Sequence, residues 1–212
     1  MRQSTAFKDN KDMREILVLY YSNGGHTKKI ASLIARGIES VKHVKARIRT
    51  VPNVTTTCEQ TTPAIPDAGD LYVTLNDLAE CIGLALGSPV HFGNMASHLK
   101  YFFDSTSHEW LSGTLSGKPA CVFTSSGSMH GGQEACLWSM LIPLMHHGML
   151  ITGLPYTDSK LMETRSGGTP YGVSHHSGID NDLPISEDEK QLAILQGKRL
   201  AEIALLLTPM QQ

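Results

Sequence analysis

The chain has 212 residues, 41% of them hydrophobic, and its 18 Lys and Arg against 20 Asp and Glu give a formal charge of -2. This length supports one domain with its own core, and the charge offers no basic excess for nucleic acid or an anionic membrane. No apolar run approaches a membrane span and residues 1–14 lack the order of a signal peptide, so we predict a polar N-terminal leader, a single domain over residues 15–208 and a cytoplasmic location.

Apolar runs that alternate with helix-period segments predict an open α/β sheet. Residues 16–21 are apolar on both faces, which is typical of a central parallel strand covered by helices. Ile30, Ile34 and Ile38 then recur at helical spacing and predict the first helix. Residues 44–50 alternate between apolar and polar, so the second strand is expected at an edge of the sheet.

The rest of the chain continues this alternation. We expect strands over residues 81–87, 119–125 and 149–154, and helices over residues 96–106 and 133–142, with Pro143 ending or kinking the latter. Segments 52–70 and 165–183 have no periodicity and are predicted to be long loops.

The last helix is predicted to begin at a capping box. Ser186 and Glu189 have the required spacing. The predicted buried stripe of this helix comprises Leu192, Leu195, Ile203 and Leu206.

Cysteine and histidine content leaves a metal site as a hypothesis only. The four cysteines, at positions 58, 81, 121 and 136, form no CxxC pair, so buried free thiols are expected rather than a disulfide or zinc site. Ten histidines are scattered without an HExxH motif. A His-rich metal-binding module therefore remains one alternative function.

A phosphate-binding turn is predicted after the first strand. In a doubly wound sheet the ligand lies at the carboxyl ends of the strands, where helix N-termini favour anions. The turn Ser22-Asn23-Gly24-Gly25-His26-Thr27 is small, rich in hydroxyls and runs straight into a helix. Its spacing matches neither GxGxxG nor the P-loop, and alone it is also compatible with a simple connector.

Two further turns point to the same ligand. The turn 88–95 offers Phe92 and backbone amides to a flat ring, and the turn 125–132 is again small and polar. Flavin mononucleotide (FMN), with a phosphate at one end and a planar hydrogen-bonding ring at the other, would use all three turns. With the ligand between strands one and three, we predict a flavodoxin-like α/β fold: a doubly wound five-stranded parallel sheet in the order 2-1-3-4-5 with helices on both faces.

Six sequence blocks follow one another through the chain: YYSNGGHT (20–27), GSPVHFGNMASHLKYFFD (87–104), WLSG (110–113), VFTSSGSMHGGQE (122–134), HHGM (146–149) and GGTPYG (167–172). Together they resemble the WrbA family of flavodoxin-like NAD(P)H:quinone oxidoreductases. The similarity extends over roughly residues 14–207. GSPxxFGNM, HHGM and GGTPYG go beyond what flavodoxins in general share.

The resemblance implies a set of residues that contact FMN. The turn 22–27 would hold the phosphate, His146 would approach the ring, and Trp110 would form a wall of the substrate pocket, with Gly24 and His91 also near the substrate. The full cofactor set is Ser22, Asn23, Gly24, Gly25, His26, Thr27, Pro89, Val90, His91, Phe92, Gly93, Asn94, Ser125, Ser126, Gly127, Ser128, Met129, His130, Gly131 and His146.

The resemblance also implies an activity and an assembly. NAD(P)H would pass a hydride to N5 of the flavin and leave, after which a quinone would take two electrons in the same slot, a ping-pong cycle. The assembly would be a homotetramer, a dimer of dimers, whose subunits complete one another's active sites. The alternative is a flavodoxin-like FMN electron carrier without its own quinone substrate, although Trp110 and the HHGM block favour a substrate pocket.

Ordinary structural roles remain open for several of these residues. Trp110 and Phe92 could pack in the core or anchor a surface. His146 and His147 could simply stabilise a helix end. GGTPYG could be only a turn framework, although we expect it to border the pocket or a subunit contact.

Two positions depart from the family pattern. Some members have Tyr where this chain has Gly24, and Arg where it has His91. Both positions are associated with holding the reductant. We therefore hypothesise that FMN binding is retained while the affinity for NAD(P)H, or the preference between NADH and NADPH, is altered.

Overall fold

Parallel strands form one sheet at the centre of the computed structural model, which describes residues 13–55 and 65–208. In these ranges the strands are β1 (Arg14–Tyr20), β2 (Val44–Thr50), β3 (Leu84–Pro89), β4 (Pro119–Ser126), β5 (Leu150–Ile151) and β6 (Val173–His176). The first five lie in the order β2-β1-β3-β4-β5. The predicted doubly wound order is confirmed, and β6 is an addition to it.

The helices connect these strands along the chain and pack on the sheet. They are α1 (His26–Glu39), α2 (Leu75–Glu80), α3 (Ser97–Asp104), α4 (Ser107–Leu111), α5 (Gln133–His146), α6 (Lys160–Glu163) and α7 (Glu187–Leu207). The short helices α2, α4 and α6 were not predicted. Helix α7 does begin at the expected capping box, because Ser186 and Glu189 bond each other's backbone amides.

The central strand explains why helices are needed on both faces. Ile16 and Val18 pack in a core cluster with α1 and α7, whereas Leu17 and Leu19 pack in a second cluster with α3 and α5. Because successive strand side chains point to opposite faces, an uninterrupted apolar strand needs cover on both sides. The prediction of helices on both faces is confirmed.

Helices α1 and α7 approach so closely that two glycines are required at their crossing. A Cβ on Gly37 would lie 2.0 Å from the carbonyl oxygen of Ile194, and one on Gly197 would lie 2.0 Å from that of Ile34. Any larger side chain would have to push the helices apart.

This close contact also corrects the predicted stripe of α7. Leu192 is buried, and Leu195 and Ile203 are half-buried, but Leu206 is 85% exposed, so its assignment to the core is wrong. The helix packs mainly through small residues rather than leucines. Its buried positions are Glu189, Leu192, Ala193, Gln196, Gly197, Leu200, Ala201 and Ala204.

The edge of the sheet beyond β4 differs from the prediction. The strand expected over residues 149–154 is only two residues long and pairs with Pro119 and Ala120. Further along the same edge, β6 pairs with residues 123–126. Two short strands thus share one edge of β4, and the second comes from the segment 165–183 that was predicted to be a loop.

Pro143 does not end α5, which continues to His146. The carbonyl of Pro143 accepts a hydrogen bond from the amide of His147, so the helix completes another turn after it.

The buried cysteines have no pairing role in the described residues. Cys81, Cys121 and Cys136 are buried and free, as expected, while Cys58 lies outside the described residues. Burial raises the pKa of the Cys121 thiol to about 12 and that of Cys136 to about 11. Both thiols are therefore unreactive at neutral pH.

Residues 1–12 of the predicted leader also lie outside the described residues, and β1 already begins at Arg14. Within residues 13–55 and 65–208, we find no helix with the length and apolarity needed to cross a membrane. The same ranges contain no group of three or more His, Cys, Asp or Glu residues placed to hold a metal ion.

Candidate functional site

The turn after β1 forms an open cradle of backbone amides. Gly25 precedes α1 with a φ of 82°, and no atom lies within 4 Å of the position that a Cβ would take there. Gly25 has no side chain with which to cap the helix, and the Oγ of Ser22 accepts a 3.4 Å hydrogen bond from the amide of Lys28. The first amides of a helix lack intrahelical acceptors and carry its positive dipole end, so this turn is suited to an anion.

A pair of buried hydroxyls joins this turn to the turn after β4. The Oγ1 of Thr27 and the Oγ of Ser125 lie 2.9 Å apart. Ser125 also accepts, at its carbonyl, a 2.9 Å hydrogen bond from the amide of Val90 in the turn after β3. Ser125 is therefore the residue at which all three predicted turns meet.

The turn after β4 is fixed by its own side chains. Ser126 donates to the carbonyl of Ser128 at 2.8 Å and accepts a 2.7 Å hydrogen bond from Gln133. The amide of Gly131 bonds the same carbonyl. These bonds leave residues 127–130 exposed at the carboxyl edge of the sheet.

The turn after β3 holds Phe92 out into solvent. His91 and Asn94 exchange two backbone hydrogen bonds of 2.9 Å, with Phe92 and Gly93 at φ values of 52° and 75° between them. Left-handed backbone is unfavourable for an aromatic residue. Phe92 is also fully exposed, so the reading of Phe92 as a core residue is wrong.

The segment after β6 packs against the cradle, which the sequence did not predict. The carbonyl of Asn181 lies 3.1 Å from Nε2 of His26, and its side chain lies 3.6 Å from the Cβ position of Gly24. The amide of Ser177 donates to the carbonyl of Ser126 at 2.8 Å, and its hydroxyl donates to Oδ1 of Asn181 at 3.1 Å. The ring of His26 is therefore buried, with both of its nitrogens in contact with protein atoms.

A cavity of about 580 Å³ brings together three of the other predicted residues, Trp110, His146 and Asn94. Trp110 is 49% exposed, so it is not a core residue. His147 also lines the cavity; it is bonded to Thr106 at 3.0 Å, and burial lowers its pKa. The full lining is Asn94, Met95, Lys100, Phe103, Asp104, Thr106, Ser107, Trp110, Ser139, Ile142, Pro143, His146 and His147.

The predicted site residues thus fall into two groups within one chain. The turns 22–27 and 125–131 meet at Thr27 and Ser125, whereas none of their residues lines the cavity beside Trp110. The turn 88–95 contributes to both groups, through Val90 and Asn94.

The block GGTPYG forms a tight turn. Thr169 and Gly172 exchange backbone hydrogen bonds, and a Cβ on Gly172 would lie 2.2 Å from the carbonyl oxygen of Val122 in β4. The glycines therefore allow this turn to lie directly against the sheet. This geometry is that of a turn framework. None of residues 167–172 lines the cavity beside Trp110, and a subunit contact made by this block stays a prediction.

Comparison with known proteins identifies relatives over almost the whole chain. The family model described as NADPH-dependent FMN reductase matches residues 14–156. A protein named NAD(P)H dehydrogenase (quinone) from Trichlorobacter lovleyi is 37% identical over 92% of this chain and 100% of its own length. One of the same name from Chromohalobacter salexigens is 38% identical over 91% of this chain and 98% of its own length.

Solved structures agree on the fold. A WrbA-like flavodoxin from Agrobacterium tumefaciens superposes with a TM-score of 0.65 at 21% identity, covering 92% of this chain and 99% of that one. An archaeal flavodoxin gives a TM-score of 0.58 at 20% identity, with coverage of 90% and 99%. These structures confirm the flavodoxin-like fold, and the curated relatives and the family model confirm the resemblance predicted from the six blocks. By its family model and by relatives above 30% identity, the chain belongs to the NADPH-dependent FMN reductase family.

Proposed function

We propose that this chain is an FMN-dependent NAD(P)H:quinone oxidoreductase of the WrbA type. The observation that carries the proposal is the meeting of three polar turns at Ser125 of β4, one strand away from the switch point between β1 and β3. The names of the curated relatives supply the reductant and the substrate class. The cytoplasm, the usual location of soluble NAD(P)H-dependent reductases, is the proposed compartment.

The residues present fit FMN. The cradle before α1 has a free face at Gly25, and the hydroxyls of Ser22 and Thr27 flank it. We assign the phosphate to the turn 22–27, the polar edge of the ring to the turn 125–131, and the flat face to residues 89–94. Bound FMN would supply the hydride chemistry, while the protein positions it and its partners.

We propose that the cavity beside Trp110 forms part of the substrate pocket over the flavin of a neighbouring subunit. Trp110 and His146 lie apart from the phosphate turn of their own chain, and the helices around them expose several large apolar side chains. A homotetramer would cover this surface and bring each cavity to a neighbouring flavin. The exposed apolar residues are Tyr101, Trp110, Leu111, Trp138, Ile142 and Met145.

An assay of NADPH oxidation by a quinone distinguishes the proposed enzyme from a flavodoxin-like electron carrier. The purified protein, loaded with FMN, is mixed with NADPH and benzoquinone while oxidation of NADPH is followed. We expect sustained turnover that requires FMN, with a parallel-line pattern of initial rates from a ping-pong cycle. A flavin that is never bleached by NADPH or NADH would instead support the carrier.

Replacing His91 with Arg is expected to lower the apparent KM for NADPH. His91 lies half-buried beside the exposed Phe92, and a permanently charged guanidinium would attract the phosphates of the reductant. Steady-state kinetics of His91→Arg with NADPH and NADH measure the effect. An unchanged KM for both would remove His91 from the reductant site.

Replacing Phe92 with Gly is expected to lower the affinity for FMN without lowering the stability of the FMN-free protein. Glycine relieves the left-handed strain, so the free energy of unfolding of the FMN-free protein should stay level or rise by about 1 kcal/mol. FMN affinity should fall, because a stacking wall is lost. Denaturant unfolding and FMN titration measure the two quantities.

Tyr156→Gly provides the control for Phe92, because Tyr156 is another exposed aromatic residue that belongs to none of the three turns. It should leave FMN affinity unchanged. Equal FMN affinity in Phe92→Gly and the unmodified protein would contradict the role given to Phe92.

A further inference from the structure

A buried carboxylate lies at the N-terminus of α7, with a full set of hydrogen bonds. Oε1 of Glu189 accepts from the amides of Gly167 at 2.8 Å and His176 at 3.2 Å. Oε2 accepts from the amide of Ser186 at 2.8 Å and faces Nδ1 of His175 at 2.9 Å. Burial would raise the pKa of Glu189, but these donors outweigh burial and hold it at about 2. Glu189 is therefore an anion at neutral pH.

Two imidazoles continue from this carboxylate to the phosphate turn. Nε2 of His175, which is fully buried, lies 3.1 Å from Nδ1 of His26. Nε2 of His26 in turn lies 3.1 Å from the carbonyl oxygen of Asn181. We call Glu189, His175 and His26 the imidazole chain.

The groups at the two ends of the imidazole chain, the Glu189 carboxylate and the Asn181 carbonyl, determine how many protons the ring nitrogens need. A carboxylate and a carbonyl can only accept hydrogen bonds, so each of the three contacts needs a proton on a ring nitrogen. Two neutral imidazoles carry two such protons between them. The third proton makes the His175–His26 pair a cation, which Glu189 balances.

The positions of the groups place the extra charge on His175. That ring lies against the carboxylate, whereas burial lowers the pKa of His26, with the Asn181 carbonyl opposing the effect. In this arrangement His175 donates from Nδ1 to Glu189 and from Nε2 to Nδ1 of His26. His26 is neutral and donates from Nε2 to Asn181.

Other charges near the imidazole chain come from two elements. Lys29 on α1 acts on His26, and the loop after β6 carries the exposed carboxylates of Asp180 and Asp182. On β4, the strand that pairs with β6, the residue opposite His175 is the uncharged Ser125. Among the described residues, Glu189 is the charged group that bonds His175 directly.

We propose that His175 and Glu189 are positioning residues that act through His26 to orient the phosphate turn and to place a positive charge behind it. This inference rests on the assignment of the FMN phosphate to the turn 22–27. His26 is the first residue of α1, and Asn181, which its ring bonds, packs on Gly24 in the same turn. Loss of the third proton at alkaline pH leaves Glu189 unbalanced and weakens binding of a dianionic phosphate.

The test compares FMN with riboflavin, which lacks the phosphate. Both are titrated into the FMN-free protein between about pH 7 and pH 9.5, where the phosphate, with a second pKa of about 6, keeps a constant charge. The ratio of the two affinities should fall by about tenfold as the pH rises. In His175→Gln, whose amide can bond but cannot titrate, the ratio should not change with pH.

His176→Gln is the matched control, since the neighbouring His176 bonds Glu189 only through its backbone amide. It should keep the pH dependence of the unmodified protein. A ratio that is independent of pH in the unmodified protein, with FMN still binding far more tightly than riboflavin, would overturn the inference. FMN that binds no more tightly than riboflavin would count against the phosphate assignment itself.

A second measurement does not depend on a variant that folds. Two-bond proton–nitrogen correlation spectra of the FMN-free protein distinguish the two neutral tautomers of histidine from the imidazolium. At neutral pH we expect His175 as imidazolium and His26 with its proton on Nε2. Two neutral rings at neutral pH would overturn the inference even if FMN binding proved pH-dependent.

Discussion

Replacing Ser22 with Asp is expected to weaken FMN binding on the order of 100-fold. The new carboxylate would lie in the amide cradle before α1 and compete with the phosphate for the same donors. A hydrogen bond to a charged acceptor contributes about 1.5–3 kcal/mol, and repulsion between the two anions adds to its loss. Riboflavin affinity should change little, because riboflavin has no phosphate to exclude. Fluorescence titration with both flavins measures the difference.

Ser32→Asp adds the same charge at an exposed position within α1, outside the cradle. It controls for the general effect of a negative charge on the protein. Equal losses of FMN and riboflavin affinity in Ser22→Asp would show a disturbed fold rather than a filled cradle. An FMN affinity that survives Ser22→Asp would place the phosphate elsewhere.

Replacing Gly197 with Ala is expected to lower the free energy of unfolding by about 3 kcal/mol. The added methyl group would lie 2.0 Å from the carbonyl oxygen of Ile34, an overlap with rigid helix backbone that side-chain movement cannot relieve. This loss should exceed the gain of up to about 1 kcal/mol that alanine offers over glycine inside a helix. Denaturant unfolding of the FMN-free protein measures the net change in the free energy of unfolding, which is the steric loss minus the gain in helix propensity.

Gln191→Ala on the exposed face of α7 is the control for Gly197→Ala, and it should leave stability within about 0.5 kcal/mol of the original. A stabilised Gly197→Ala would mean that α1 and α7 do not approach each other as described.

The secondary-structure elements that were predicted correctly are those marked by a pattern of a few consecutive residues. The apolar run of β1 and the alternation of β2 fixed the centre and one edge of the sheet, and the capping box at Ser186 fixed the start of α7. The beginning of α2 carries a similar signal, because Thr74 and Asp77 also form a capping box. These patterns depend on a few neighbouring residues and are readable without the fold.

The remaining features depend on contacts between distant segments. Only four residues of β6 are extended, and their place on the sheet comes from pairing with β4. The contact of His26 with His175 joins residues 149 positions apart, so no spacing rule reveals it. The glycine crossing of α1 and α7 likewise shifted the buried stripe away from the leucines on which the prediction relied.

The candidate site shows the same division. The composition of the turns at residues 22–27 and 125–131 pointed to a phosphate and a polar ring, and the fold brings these turns together at Thr27 and Ser125. Sequence could not show that Trp110 and His146 share a separate cavity, nor that the backbone holds Phe92 outward. Both facts depend on how helices and turns are placed in three dimensions.

A crystal structure of the protein with FMN tests the central claim most directly. We expect the phosphate within hydrogen-bond distance of the amides in the turn 22–27, and the ring between residues 89–94 and the turn 125–131. A phosphate bound at any other surface, with these three turns free of the cofactor, would contradict the account.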